Sequence, residues 1–175
     1  MTREMPKVVL SERQIRTRVR QMGEQISRDY SDTPFVAVCI LKGAVVFLSD
    51  LCRSVEAKME FDFMAVSSYG SATESSGEVR ILKDLDESIE NKHVLLVEDI
   101  VDTGLTLRYL TGVLKGRRPA SLKVCCLLDK PSRRQVPVEI EYCGFCVPGL
   151  FLVGYGLDYA GEYRNLPYIG SLDQQ

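Results

Sequence analysis

The sequence predicts an α/β protein, a doubly wound and mostly parallel sheet flanked by helices. Three observations carry that prediction. Phe35-Val36-Ala37-Val38-Cys39-Ile40-Leu41 and Val94-Leu95-Leu96-Val97 are apolar throughout, as strands buried on both faces of a parallel sheet must be. Each leads into a short turn containing glycine and then into apolar residues at helical spacing. Strand and helix patterns alternate along the chain, with no internal repeat, linker or low-complexity tract between them.

Taken in order, Ser11-Glu12-Arg13-Gln14 fits a capping box, and Ile15, Val19, Met22 and Ile26 continue the apolar face of a first helix. The strand at 35–41 turns at Lys42-Gly43 into an apolar helix from 44 to about 55. Met59, Phe61, Phe63 and Ala65 alternate with Glu60 and Asp62, the period of a half-buried strand ending near Val66. Residues 67–78 are small and polar, and such a length is unusual for a plain connection. This favours a lid that includes Ser68 and Tyr69, with an exposed hairpin tip as the alternative. Residues 79–82 return as a strand. After the strand at 94–97, Leu107, Leu110, Val113 and Leu114 mark the next helix. A buried strand at 122–128, an alternating edge strand at 138–142 and a short apolar strand at 151–153 complete the pattern.

The chemistry concentrates in Glu98-Asp99-Ile100-Val101-Asp102-Thr103-Gly104-Leu105-Thr106, where an apolar strand meets two acids and a small-residue turn. Ligands of such sheets bind beyond the carboxyl ends of strands. The turn opens a helix, whose first four amides lack intrahelical acceptors and sit at the positive end of the helix dipole. With the hydroxyls of Thr103 and Thr106 they form a phosphate cradle, and Gly104 lets the backbone approach closely. Glu98 and Asp99 are then suited to hold ribose hydroxyls or a magnesium ion, which prefers one or two carboxylates plus substrate oxygens. No Gly-Lys-Ser/Thr follows a glycine at the Walker spacing, so an ATPase or kinase of that type is disfavoured.

A chain of 175 residues suits one domain, here taken as 1–175. With 22 Lys and Arg against 24 Asp and Glu, the net charge of -2 gives no basic field for a nucleic-acid backbone. No apolar run approaches the roughly 20 residues that span a bilayer, and Met1-Thr2-Arg3-Glu4-Met5-Pro6-Lys7 has no apolar signal core. A cytoplasmic location is the resulting expectation. Of six cysteines, Cys39, Cys52, Cys125 and Cys126 lie among apolar neighbours and read as core. Cys143-Gly144-Phe145-Cys146 has the Cys-x-x-Cys spacing, yet it precedes Val147-Pro148-Gly149 instead of a helix and has no second pair, so a zinc or redox role is not expected. His93, at the start of a strand, reads as structural.

At this point the chain resembles a known family. Val97-Glu98-Asp99-Ile100-Val101-Asp102-Thr103-Gly104-x-Thr106 is similar to the phosphoribosyl pyrophosphate signature of type I phosphoribosyltransferases, in the form of the hypoxanthine-guanine, bacterial-type 6-oxopurine members. Leu41-Lys42-Gly43, Ser68-Tyr69-Gly70, Leu127-Leu128-Asp129-Lys130 and the run from Phe151 through Tyr159, followed by Arg164, agree in order, so the resemblance spans about residues 8 to 170.

The resemblance implies the type I phosphoribosyltransferase fold with a small hood formed by the chain termini. It implies a purine salvage enzyme that converts hypoxanthine or guanine plus phosphoribosyl pyrophosphate to IMP or GMP plus pyrophosphate. Asp102 falls where the family has its general base. Lys42, the amides of Lys42 and Gly43, and Arg164 would neutralise the pyrophosphate, and Leu41-Lys42 would be a cis peptide. Glu98, Asp99 and Asp158 would serve magnesium. Ile100, Lys130, Phe151, Leu152 and Asp158 would form the base pocket, with Phe151 stacking, the Leu152 and Asp158 carbonyls accepting, and Lys130 donating to the 6-oxo group. A homodimer or homotetramer is implied. The alternatives are a xanthine-preferring enzyme and a non-catalytic regulator that binds the same ligands; adenine and orotate members usually carry alanine where this chain has Asp102.

Overall fold

The structure is a computed structural model and describes residues 5–68 and 79–172. Its elements are β1 (Lys7–Leu10), α1 (Glu12–Asp29), β2 (Phe35–Leu41), α2 (Val45–Cys52), β3 (Met59–Ser68), β4 (Val79–Lys83), β5 (His93–Val101), α3 (Leu105–Gly116), β6 (Ser121–Asp129), a 3-10 turn (Pro131–Arg133), β7 (Tyr142–Cys146), β8 (Leu152–Val153) and β9 (Ile169–Ser171). Residues 69–78, and with them Tyr69 of the expected lid, lie outside the described residues; Ser68 is the last residue of β3.

Six strands form one sheet in the order β4-β3-β2-β5-β6-β7. The pairs from β3 through β7 are parallel, and β4 adds an antiparallel edge. Both faces are covered, which explains the all-apolar composition of β2. Ala37 and Cys39 join Leu95, Val97 and Leu127 in a core closed by Ile15, Val19, Met22 and Ile26 of α1 and Phe47, Leu48 and Leu51 of α2. Val36, Val38 and Ile40 point the other way, into a core with Val94, Leu96 and Leu107, Leu110 and Leu114 of α3. The capping box starts α1 as expected: Ser11 Oγ accepts from Gln14 N at 3.3 Å while Gln14 Oε1 accepts from Ser11 N at 2.9 Å.

The chain leaves β2 toward β3 on one side and returns to β5 on the other, so the strand order reverses between β2 and β5. That crevice is the ligand position of an open α/β sheet. A second sheet, antiparallel in the order β1-β9-β8, is built from segments near the two ends of the chain. Among the described residues, no helix is long and apolar enough to cross a membrane.

Several expectations shift. The helix expected to reach about residue 55 stops at Cys52, because the following backbone turns to α1: Ser27 Oγ accepts from Glu56 N at 2.9 Å. The strand carrying the acids does not end before them; β5 runs on to Val101. The edge strand is Tyr142–Cys146 in place of 138–142. Val138 and Ile140 instead pack on the core beside α3, and Glu141 substitutes for a strand partner, its carboxylate accepting from Val124 N at 2.6 Å. Cys52 is half-buried instead of core. His93 is structural, its Nδ1 2.8 Å from Ser121 Oγ where β5 and β6 begin side by side.

Candidate active site

The crevice is assembled from the ends of β2, β5 and β6. The peptide between Leu41 and Lys42 is cis, and the turn after it lies against the acids of β5. A side chain at Gly43 would meet the Asp99 Oδ2 atom at 1.6 Å, so only glycine leaves room for that carboxylate. Gly43 is pressed from the other side as well: a Cβ on Gly156, at φ +100°, would meet the Gly43 carbonyl oxygen at 2.1 Å. Glycine at 156 satisfies both the turn and the contact. This contact joins the segment bearing Asp158 and Arg164 to the Lys42-Gly43 turn. Arg164 Nη1 donates to the Gly156 carbonyl at 2.6 Å, and Nη2 lies 2.7 Å from Asp158 Oδ1, while Asp158 Oδ2 accepts from Gly161 N at 2.8 Å. Lys42 is exposed at the mouth.

The two acids of β5 differ in environment. Glu98 is 8% exposed, and burial pushes its carboxyl well above the usual range, with the Asp99 charge adding to the effect. Asp99 is half-buried; burial pushes it up to about 6, opposed by backbone hydrogen bonds and by the Arg164 guanidinium. Glu98, Asp99 and Asp158 do not meet around a single point among the described residues. A paired-acid position at β5 and a separate carboxylate at Asp158 are what remains for cations.

Beyond β5 the loop of Asp102, Thr103 and Gly104 feeds α3. Gly104 caps the helix at φ 85°, a conformation that favours glycine. The first amides of α3 are available to an anion, save that Leu105 N donates to Thr103 Oγ1 at 3.3 Å. Thr106 follows half-buried in the first turn. Residues 134–136 buttress the loop: Gln135 N and Val136 N donate to the Thr103 carbonyl at 2.9 and 3.3 Å, and Arg134 Nη1 donates to the Asp102 carbonyl at 3.4 Å.

The Asp102 carboxylate faces the end of β6. Lys130 Nζ lies 3.7 Å from Asp102 Oδ2, and Arg133 Nε donates to Asp102 Oδ1 at 2.7 Å. Lys130 is 6% exposed, and burial pulls its ammonium below the ordinary lysine range against the opposing pull of Asp102. Phe151 is half-buried with its ring 5.6 Å from that of Tyr159 at 85°, an edge-to-face pair, and the neighbouring Leu152 is buried. Ile100 packs against the core of α1 and α2.

Residues 8–160 match the family model of the phosphoribosyl transferase domain. The chain belongs to that family. This phosphoribosyltransferase is 49% identical over 172 residues to the hypoxanthine-guanine phosphoribosyltransferase of Bacillus subtilis, covering 98% of this chain and 96% of the relative. It is 50% identical over 168 residues to the hypoxanthine phosphoribosyltransferase of Buchnera aphidicola, covering 95% of each. The crystal structure of a hypoxanthine phosphoribosyltransferase from Staphylococcus aureus superposes with a TM-score of 0.91 at 50% identity, over 95% of this chain and 90% of that one. That of a Bacillus anthracis hypoxanthine-guanine phosphoribosyltransferase, with a HEPES molecule in its active site, gives 0.92 at 45% identity, over 97% and 99%.

Within this phosphoribosyltransferase the expected residues therefore fall into two neighbouring groups. Lys42, Gly43, Asp99, Asp158 and Arg164 surround the β2 turn, and Asp102, Thr103, Gly104 and Lys130 lie where β5 and β6 end. Sequence reasoning missed Arg133 and Arg134, which hold the side chain and the carbonyl of Asp102. Their only signal is the basic pair after Lys130-Pro131-Ser132; nothing in it names Asp102 as the partner.

Proposed function

We propose that this phosphoribosyltransferase moves the 5-phosphoribosyl group of phosphoribosyl pyrophosphate onto an imidazole-ring nitrogen of hypoxanthine or guanine, releasing pyrophosphate and forming IMP or GMP. The observation that carries the reading is the approach of the Asp102 carboxylate and the buried Lys130 ammonium to 3.7 Å, beside the phosphate loop. An oxopurine presents a 6-oxo acceptor next to its imidazole edge, and this pair offers a donor and a base side by side. Lys130 donates to the 6-oxo group. Asp102 takes the imidazole proton as the glycosidic bond forms. Phe151 supplies a stacking face, Ile100 closes the apolar side, and the carbonyls of Leu152 and Asp158 accept from the ring amide and, in guanine, the exocyclic amine.

The 5-phosphate sits on the amides of Thr103, Gly104, Leu105 and Thr106. Lys42, the Gly43 amide and Arg164 hold the pyrophosphate as it leaves. Glu98 and Asp99 orient the ribose. Magnesium fits this donor set, since burial raises both carboxylates, with the Asp99 charge adding at Glu98 and the Asp158 charge at Asp99, and such groups gain from a cation; Glu98, Asp99 and, at a second position, Asp158 would hold it, and bound there it would neutralise diphosphate charge. A homodimer or homotetramer completes the reading, supported by the exposed apolar side chains Phe61, Leu82 and Val45, which a partner would cover.

Product analysis tests the reading. Phosphoribosyl pyrophosphate and hypoxanthine should yield IMP and pyrophosphate in equal amounts, with no free ribose phosphate. Pyrophosphate released without IMP would show hydrolysis and contradict the assignment of the base pocket.

A further inference from the structure

Beside the base pocket, β6 and β7 bring together donors that are far apart in the sequence. Their parallel register sets Cys126 opposite Cys143 and Asp129 opposite Cys146. The Sγ atoms of Cys143 and Cys146 and a carboxylate oxygen of Asp129 all lie within 4.8 Å of one another, the one such group of three metal-ligating side chains among the described residues. Cys146 is exposed and Cys143 half-buried, so the group opens to solvent. The absence of a second Cys-x-x-Cys pair argued against a metal; the neighbouring strand supplies the third donor instead.

The spacing of the three donors suits a single ion. A zinc ion, with bonds of about 2.3 Å to sulfur and about 2 Å to oxygen, joins donors about 4 Å apart. The surroundings suit an ion as well. Arg134 pairs with Asp129, and Arg18 donates to the carbonyls of Cys143 and Gly144 at 2.7 and 2.9 Å, so two guanidiniums offset two thiolates and a carboxylate around a dication. Buried Cys126 stands opposite Cys143 in the strand register, behind the ligand. Such second contacts orient and tune metal ligands.

We propose that Asp129, Cys143 and Cys146 form a binding site for a thiophilic divalent cation, with zinc the best fit and water at the fourth position. Cys126 and Arg134 hold the ligands from behind. The site touches the phosphate loop through Arg134, which spans from Asp129 to the Asp102 carbonyl.

Cobalt provides the test, because its sulfur charge-transfer bands arise only from thiolate ligands. The full chain, stripped of metal and kept reduced by a phosphine in excess magnesium, should take one cobalt ion with those bands and lose them on adding zinc. Cys143→Ser and Cys146→Ser should each weaken zinc binding by at least the roughly 10- to 100-fold that loss of an outer-shell partner costs. A second measurement needs no variant: zinc should slow alkylation of the exposed Cys146 at least about 10-fold, as expected for a ligated thiolate. Cobalt binding without sulfur bands, zinc affinity unchanged in both serine variants, or an alkylation rate indifferent to zinc would each overturn the proposal.

Discussion

Replacing Gly43 with alanine tests whether the β2 turn and the acids of β5 form one site. Gly43 does not have a positive φ, so its requirement is space alone. The new methyl would lie 1.6 Å from Asp99 Oδ2 and 2.7 Å from Asp99 Cγ, and the carboxylate must retreat by roughly 2 Å to reach ordinary contact. Asp99 Oδ1 accepts from Ile100 N at 2.7 Å, and a rotation of that size breaks the bond. Leaving a half-buried amide unpaired costs about 1–3 kcal/mol. For a chain of this size that lowers the melting temperature by roughly 2–12 °C. The catalytic effect is larger, because displacing a substrate-positioning group by about 1 Å costs on the order of 10²-fold. Thermal melting together with steady-state kinetics at varied phosphoribosyl pyrophosphate reads both effects. A Gly43→Ala protein that melts like the parent and keeps its kcat/KM would refute the packing of the turn on Asp99 and the role given to that carboxylate.

Asp102→Asn should lower turnover by about 10²-fold or more while leaving the phosphoribosyl pyrophosphate KM within several-fold, since the amide keeps the shape of the loop but cannot take a proton; single-turnover kinetics check it, and an undiminished chemical step contradicts the base. Gly112→Ala, at an exposed position of α3 where a methyl meets no atom within 4 Å, should raise stability by about 0.5–1 kcal/mol without altering activity, as melting and kinetics would record. The acid pair makes a pH prediction. Burial raises the folded Asp99 pKa to about 6, so between roughly pH 4 and 6 the folded state holds more protons on Asp99 than the unfolded chain and its contribution to stability falls as pH rises through that window; Glu98, raised as well, acts in the same direction. Magnesium bound to the ionised pair should therefore raise the melting temperature more at pH 8 than at pH 5; a shift of equal size at both would contradict its assignment to these acids.

How much could be read from the residues differs from element to element. Phe35–Leu41 was legible to the residue because an all-apolar run has one use in a sheet covered on both faces. The turn into α3 was legible because Gly104 followed by apolar residues at helical spacing marks a helix start, and Gly104 does cap α3. The edge strand was misplaced because alternation at 138–142 reports burial of Val138 and Ile140 without saying that Glu141 takes the place of a strand partner. Arg133 was missed since its meaning lies in Asp102, 31 residues away in the chain. Asp129 and Cys146 face each other for the same kind of reason: strand register places them, and register is a tertiary property.

The central claim is that the pair Asp102 and Lys130 reads a 6-oxopurine, and the ratio of kcat/KM for hypoxanthine to that for adenine, measured on the unmodified protein, tests it most directly. Lys130 carries only donors. Opposite a 6-oxo group it is satisfied; opposite the adenine amine it meets a second donor, and the unprotonated ring nitrogen of adenine leaves the nearby carbonyls unpaired as well. Two such mismatches, at roughly 1–3 kcal/mol each, give on the order of 10²- to 10⁴-fold discrimination. The account predicts a ratio in that range, with adenine nearly inert, whereas comparable efficiencies for the two bases would contradict it.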